Sequence, residues 1–278
     1  MKKLLVTGQT RSGTSLVANF LNAQEGCVVY SDFFGAIVRG FTESHIKGYN
    51  VELTTQQKEI VLQDFQREYL AVGINADSSI SLESFQTLGE LYTIALDMLA
   101  EHRGAFRLTG HKITRIEHLL EKLLLETDLS AICIVRDLRD VMLSAKAKFK
   151  DTHFIRSCLS WRYGLNTVNK LEAMYPDRMY LMRFENFISD TTAETKRLSK
   201  FLHVELNPNI EQLKFKEEMW QDNSSFNDIS RNMDTRVIGR WKQHRRNPYV
   251  IIAGLFQSTT KLLPPEAQEV MRIKVDKR

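Results

Sequence analysis

Residues 130–135 read SAICIV, six consecutive positions without a charge. A strand of that composition is apolar on both faces, so it must lie inside a sheet that is covered above and below. The neighbouring segments fit that demand. Short apolar runs at 2–6, 27–30, 107–113 and 178–184 alternate with stretches of helical period at 15–23, 54–71, 82–101, 115–126, 138–150, 155–174 and 191–202. Strands alternating with helices form a parallel sheet whose crossovers place helices on both faces. In 54–71, Ile60, Val61, Phe65 and Tyr69 mark the expected buried face. Pro176 closes the helix before it, and the helical pattern that resumes after Pro208 is broken by the polar stretch 221–234, expected to be a mobile loop. No repeat, low-complexity tract or linker divides the chain. Residues 1–278 are therefore expected to form one domain, a three-layer α/β/α fold with a central parallel sheet.

Charge and cysteine usage narrow the function classes. Lys and Arg exceed Asp and Glu by 38 − 34 = +4. This mild excess suits an anionic ligand and falls short of the dense charge of a nucleic-acid binder, so no nucleic-acid partner is expected. Cys27, Cys133 and Cys158 are an odd set without CxxC or metal-like spacing, so neither a disulfide framework nor a zinc site is expected, and a reducing compartment is. The opening MKKLLVTG begins like a leader, but its apolar run lasts only from residue 4 to 6. No stretch approaches the ~18 apolar residues of a spanning helix. The expected location is the cytoplasm, with no transmembrane segment.

Gly8 and Gly13 are separated by four residues between an expected strand and an expected helix. That is the spacing of a loop whose backbone N–H groups cradle a phosphate over a helix N-terminus. In a nucleoside triphosphatase, Lys and then Ser or Thr follow the second glycine; here Thr14 and Ser15 follow Gly13. The missing lysine argues against ATP or GTP hydrolysis, while Arg11 supplies a planar fork suited to an oxyanion. A second constellation, RDLRDVMLS from Arg136 to Ser144, begins where the buried strand ends. Ligands of open parallel sheets bind beyond the carboxyl ends of strands. Arg136 stands at that edge, Asp137 or Asp140 can serve the start of the helix, and Ser144 lies two turns along it. Anion sites at two strand ends of one sheet point to a nucleotide with phosphates at both ends. A P-loop nucleoside kinase or NTPase is the alternative, which magnesium-dependent ATP turnover would revive.

These residues resemble those of sulfotransferases that use 3′-phosphoadenosine 5′-phosphosulfate, PAPS. GQTRSGTS is similar to that family's 5′-phosphosulfate loop, in the Arg-Ser-Gly-Thr form of its carbohydrate, tyrosyl-protein and bacterial branches. VRDLRDVMLS resembles its 3′-phosphate motif, RMYLMRFENFISD the strand and turn that follow it, and VIGRWKQH its C-terminal Gly-x-Trp-Lys segment. The resemblance implies a P-loop-like sulfotransferase fold and in-line transfer of a sulfuryl group from PAPS to a hydroxyl or amine, releasing 3′,5′-ADP. The expected acceptor is a small molecule, carbohydrate or lipid whose identity the sequence leaves open, and magnesium is not implied. It also implies roles for Arg11, Ser12, Gly13, Thr14 and Ser15 at the 5′ phosphosulfate, Arg136 and Ser144 at the 3′ phosphate, and Arg236 or Arg240 closing over the cofactor. Lys112 is the cation expected at the bridging oxygen. Two residues are candidates for the base: Asp32, after the second strand, and His111 in TGHKIT. Phe33, Phe34, Phe41, Phe149 and Phe154 are candidates for an acceptor pocket, with specificity expected in 33–104 and 221–234. A non-catalytic nucleotide-binding relative is a further alternative.

Overall fold

The computed structural model describes residues 1–31, 46–71, 80–148, 154–209 and 235–258. Its frame is a five-stranded sheet, all parallel, made of β1 (Lys2–Gly8), β2 (Cys27–Ser31), β3 (Leu108–Lys112), β4 (Ser130–Val135) and β5 (Met179–Arg183) in the order β2-β3-β1-β4-β5. Alternation along each strand sorts side chains to the two faces. Leu4 and Val6 of β1 and Ile132 and Ile134 of β4 pack on α1 (Thr14–Asn22), α7 (Phe184–Ser189) and α8 (Thr191–Leu202). Leu5, Ala131, Cys133 and Val135 face the opposite layer. That layer contains α2 (Thr55–Ala71), α3 (Leu88–Arg103), α4 (Leu120–Glu126), α5 (Leu138–Lys148) and α6 (Phe154–Met174), with α9 (Pro248–Ser258) against α5 and α6. The expected three-layer α/β/α architecture is thus the observed one. No helix among the described residues is long and apolar enough to cross a membrane.

Several boundaries differ from the expected ones for local reasons. The helix expected over 82–101 starts at Leu88, because Thr87 and Glu90 form a reciprocal capping box: the Glu90 N–H reaches Thr87 Oγ1 at 3.1 Å and the Thr87 N–H reaches Glu90 Oε2 at 3.2 Å. The stretch expected to be helical from 115 opens instead with a 3₁₀ turn, Glu117–Leu119. Arg115 is left-handed (φ 65°) and gives its N–H to the Gly8 carbonyl at 3.1 Å, which removes it from any right-handed helix. In α2, Val61, Phe65 and Tyr69 are buried at i, i+4 and i+8, whereas Ile60 is 40% exposed and off the expected face. The short helix α7 follows β5 directly, where a strand to residue 184 was expected. The polar stretch 221–234 lies outside the described residues.

What matters for a site is where the chain changes direction. From β1 it runs outward to β2 at one edge, and from β4 to β5 at the other. Such a switch point opens a crevice beyond the carboxyl ends of the two central strands. Gly8 and Ile134 pair at that end, so the loop after β1 and the turn after β4 begin side by side.

Candidate functional site

The loop from Gly8 to Gly13 is bent by three residues in the positive-φ region: Gly8 (147°), Arg11 (74°) and Gly13 (102°). The glycines are required as much by close packing as by conformation. A Cβ on Gly8 would sit 2.4 Å from the Ile134 carbonyl oxygen, and one on Gly13 would sit 2.3 Å from the Phe184 ring. The Ser12 N–H closes the turn on the Gln9 carbonyl at 3.0 Å. Helix α1 then starts without a side-chain cap and without an acid in its first turn. Its ladder begins with the Val17 N–H on the Gly13 carbonyl at 3.2 Å, so the amides of residues 14–16 fall outside it. An uncapped N-terminus of this kind attracts negative charge. Ser12 and Thr14 are buried and Ser15 is half-buried.

The β4 edge meets this loop directly. Arg11 Nε donates to Ser144 Oγ at 2.9 Å, which joins two motifs 133 residues apart. Arg136 is only 4% exposed. Its Nη1 reaches the Arg11 carbonyl at 3.4 Å, its Nη2 donates to the Val237 carbonyl at 2.8 Å, and its guanidinium lies 4.4 Å over the Phe184 ring. Arg136 Nε is buried with no hydrogen-bond partner among the described residues. The Trp161 indole N–H donates to the Arg136 carbonyl at 3.0 Å and steadies its backbone. Burial lowers the guanidinium pKa; Asp140 and Glu185 oppose that effect, and the like charges of Arg240 and Arg11 reinforce it. Arg11 and Arg240 therefore both act on Arg136 at the carboxyl end of β4, an arrangement whose repulsion an anion relieves.

The two acids after Arg136 divide their work. Asp137 caps locally, accepting the Arg139 N–H and its Nε, each at 2.9 Å. Asp140, 2% exposed, instead takes the Gly239 N–H at 2.7 Å and the Trp241 N–H at 2.9 Å. The Arg139 guanidinium lies 3.4 Å over the Trp241 ring. The segment Val237 to Trp241 is thereby fastened to the start of α5. Arg240 is exposed on it, and Arg236 is exposed just before it. Sequence reasoning assigned no role to Trp161, Phe184 or the reach of Asp140, and no local spacing signals any of the three.

Lys112 and His111 are consecutive on β3, so their side chains leave opposite faces. His111 enters the core on the α3 side, hydrogen-bonded through Nδ1 to the Tyr92 hydroxyl, with its pKa pushed down to about 3 by burial and the Lys112 charge. Lys112 is buried, 3% exposed. Asp32, Phe33, Phe34, Phe41 and Phe149 lie outside the described residues. Phe154 meets Tyr249 of α9 edge-on at 4.9 Å.

A model of the sulfotransferase family matches residues 4–208. No curated protein matches the chain. Among solved structures, it is similar to the sulfotransferase domain from the Synechococcus PCC 7002 olefin synthase, at 15% identity over 95% of this chain and 96% of that one, with a TM-score of 0.57. It is also similar to the sulfotransferase domain from the curacin biosynthetic pathway, at 13% identity over 93% and 98%, with a TM-score of 0.56.

Proposed function

The chain belongs to the sulfotransferase family, and we propose that it moves the sulfuryl group of PAPS onto a hydroxyl or amine of a small-molecule, carbohydrate or lipid acceptor. The observation that carries this reading is the junction of the two motifs: Arg11 on Ser144 at 2.9 Å, with Arg136 and Arg240 in electrostatic reach. A nucleotide charged at both its 5′ and 3′ ends matches such a junction. The residues fit that ligand in three respects. The α1 N-terminus carries no acid, Arg136 holds a buried Nε without a partner among the described residues, and the like charges of Arg11 and Arg240 bear on Arg136. PAPS when bound supplies an activated sulfuryl group whose leaving group is a phosphate oxygen.

In this reading Arg11 and the amides of Ser12, Gly13, Thr14 and Ser15 hold the 5′ end, Arg136 and Ser144 hold the 3′ phosphate, and Arg240 or Arg236 covers it. Lys112 offsets charge that builds on the departing oxygen. The base is Asp32, carried from the sequence alone. His111 is the weaker candidate, because a ring held by Tyr92 with a pKa near 3 has little affinity for the acceptor's proton. Residues 1–278 are read as one catalytic domain, and the buried cysteines Cys27, Cys133 and Cys158, none of them in a disulfide, suit a cytoplasmic setting.

Ser144→Ala is expected to weaken 3′,5′-ADP binding about fivefold, near 1 kcal/mol, the scale of one hydrogen bond that orients Arg11. Calorimetry on the folded variant measures it. Sulfur-labelled PAPS offered with a panel of phenols, sugars, hydroxylated lipids and amines tests transfer itself. Labelled acceptor supports the reading; tight binding of 3′,5′-ADP with no transfer to any acceptor favours a non-catalytic relative.

A further inference from the structure

We propose that Asp140 is a positioning residue that clamps the Gly239–Trp241 turn over the β4 edge and thereby holds Arg240 beside Arg136. Asp140 sits in the first turn of α5, where an acid ordinarily serves its own helix. Here both carboxylate oxygens are used at long range. Oδ2 takes the Gly239 N–H at 2.7 Å and Oδ1 takes the Trp241 N–H at 2.9 Å. The residue between the two clamped amides is Arg240, whose charge acts on Arg136. Gly239 is left-handed (φ 68°), which turns the chain so that alternate amides meet one carboxylate. Two further contacts brace the turn: Arg136 Nη2 on the Val237 carbonyl, and Arg139 against the Trp241 ring. Asp140 is buried, so the clamp is shielded from solvent competition.

The proposal rests on the sulfotransfer reading only for the identity of the anion; the clamp itself is a property of the free protein. Asp140→Asn keeps the shape but turns an amide N–H toward a backbone N–H. Hydrogen exchange without ligand is expected to rise at least about tenfold in peptides covering 235–244, while peptides covering 130–135 keep their rates. Affinity for 3′,5′-ADP is expected to fall about tenfold in D140N and in R240A. The double variant is expected to bind no more weakly than the weaker single variant, because Asp140 acts through Arg240. Unchanged exchange in 235–244, or fully additive losses in the double variant, would overturn the clamp. If D140N does not fold, Trp241→Pro against Trp241→Ala separates the amide from the indole: the proline variant should raise exchange well above the alanine variant, and equal rates count against the proposal. Wild-type protein that binds no 3′,5′-ADP would sink the donor reading, and the exchange comparison would still decide the clamp.

Discussion

Arg136→Ala is expected to weaken 3′,5′-ADP binding by about 1.5–3 kcal/mol, roughly ten- to 150-fold, the range for removing a charged hydrogen-bond donor. The size follows from position. Arg136 is 4% exposed at the carboxyl end of β4 and holds a buried Nε without a partner among the described residues. An anion seated there meets a planar fork that is already oriented by the Val237 carbonyl and the Phe184 ring. Those same contacts mean that truncation also loosens the loop, so thermal denaturation must accompany the titration. Arg136→Lys separates charge from geometry: it is expected to fold and to recover only part of the affinity, since an ammonium cannot reproduce the fork. Unchanged affinity in a folded Arg136→Ala variant would remove Arg136 from the site.

The second large effect concerns stability against pH. Glu117 is 5% exposed in the 3₁₀ turn after β3, and burial pushes its carboxyl up to about 7, against the opposing pull of its own backbone hydrogen bond and of Arg115. In the unfolded chain the same carboxyl ionises near 4.5. The folded state therefore binds this proton more tightly, so the associated stability is present below pH 4.5 and is lost as pH rises through 7. The full loss is about 3 kcal/mol. Glu117→Gln cannot ionise, so its stability relative to wild type is expected to rise by about that amount between pH 4.5 and 8, measured by urea unfolding. His111 works in the opposite direction, since a ring held near 3 in the fold destabilises it as pH falls below its ordinary value of 6.5. That contribution is common to both proteins and cancels in the difference. Parallel pH profiles would show that Glu117 is not neutral in the fold. Its location makes the matter more than local, because Arg115, two residues earlier, holds the Gly8 carbonyl.

The parts of the site that were legible in the sequence share one property: they sit where an apolar run ends. Gly8 and Arg136 each follow a strand marked by its own composition, and parallel pairing then brings the two ends together. Even the Arg11–Ser144 contact, 133 residues apart, follows from that register. Two local signals were present and carried less weight than hydrophobic period. Thr87 and Glu90 have capping-box spacing and set the start of α3, and the order His111-Lys112 on a strand already sends the two side chains to opposite faces. The Asp140 clamp was not legible, because an acid in a helix's first turn has the same local pattern whether it serves its own helix or amides about a hundred residues away. The same holds for Glu117, whose burial is decided by its packing near Gly164 of α6 and Cys133 of β4.

Calorimetric titration of the purified protein with 3′,5′-ADP, with ATP and magnesium as the comparison, tests the central claim most directly. The arrangement of Arg11, Ser144, Arg136 and Arg240 predicts micromolar binding of the bisphosphate and a clear preference for it over ATP. Preference for ATP with magnesium, or no binding of 3′,5′-ADP by folded protein, would contradict it and return the glycine loop to the kinases.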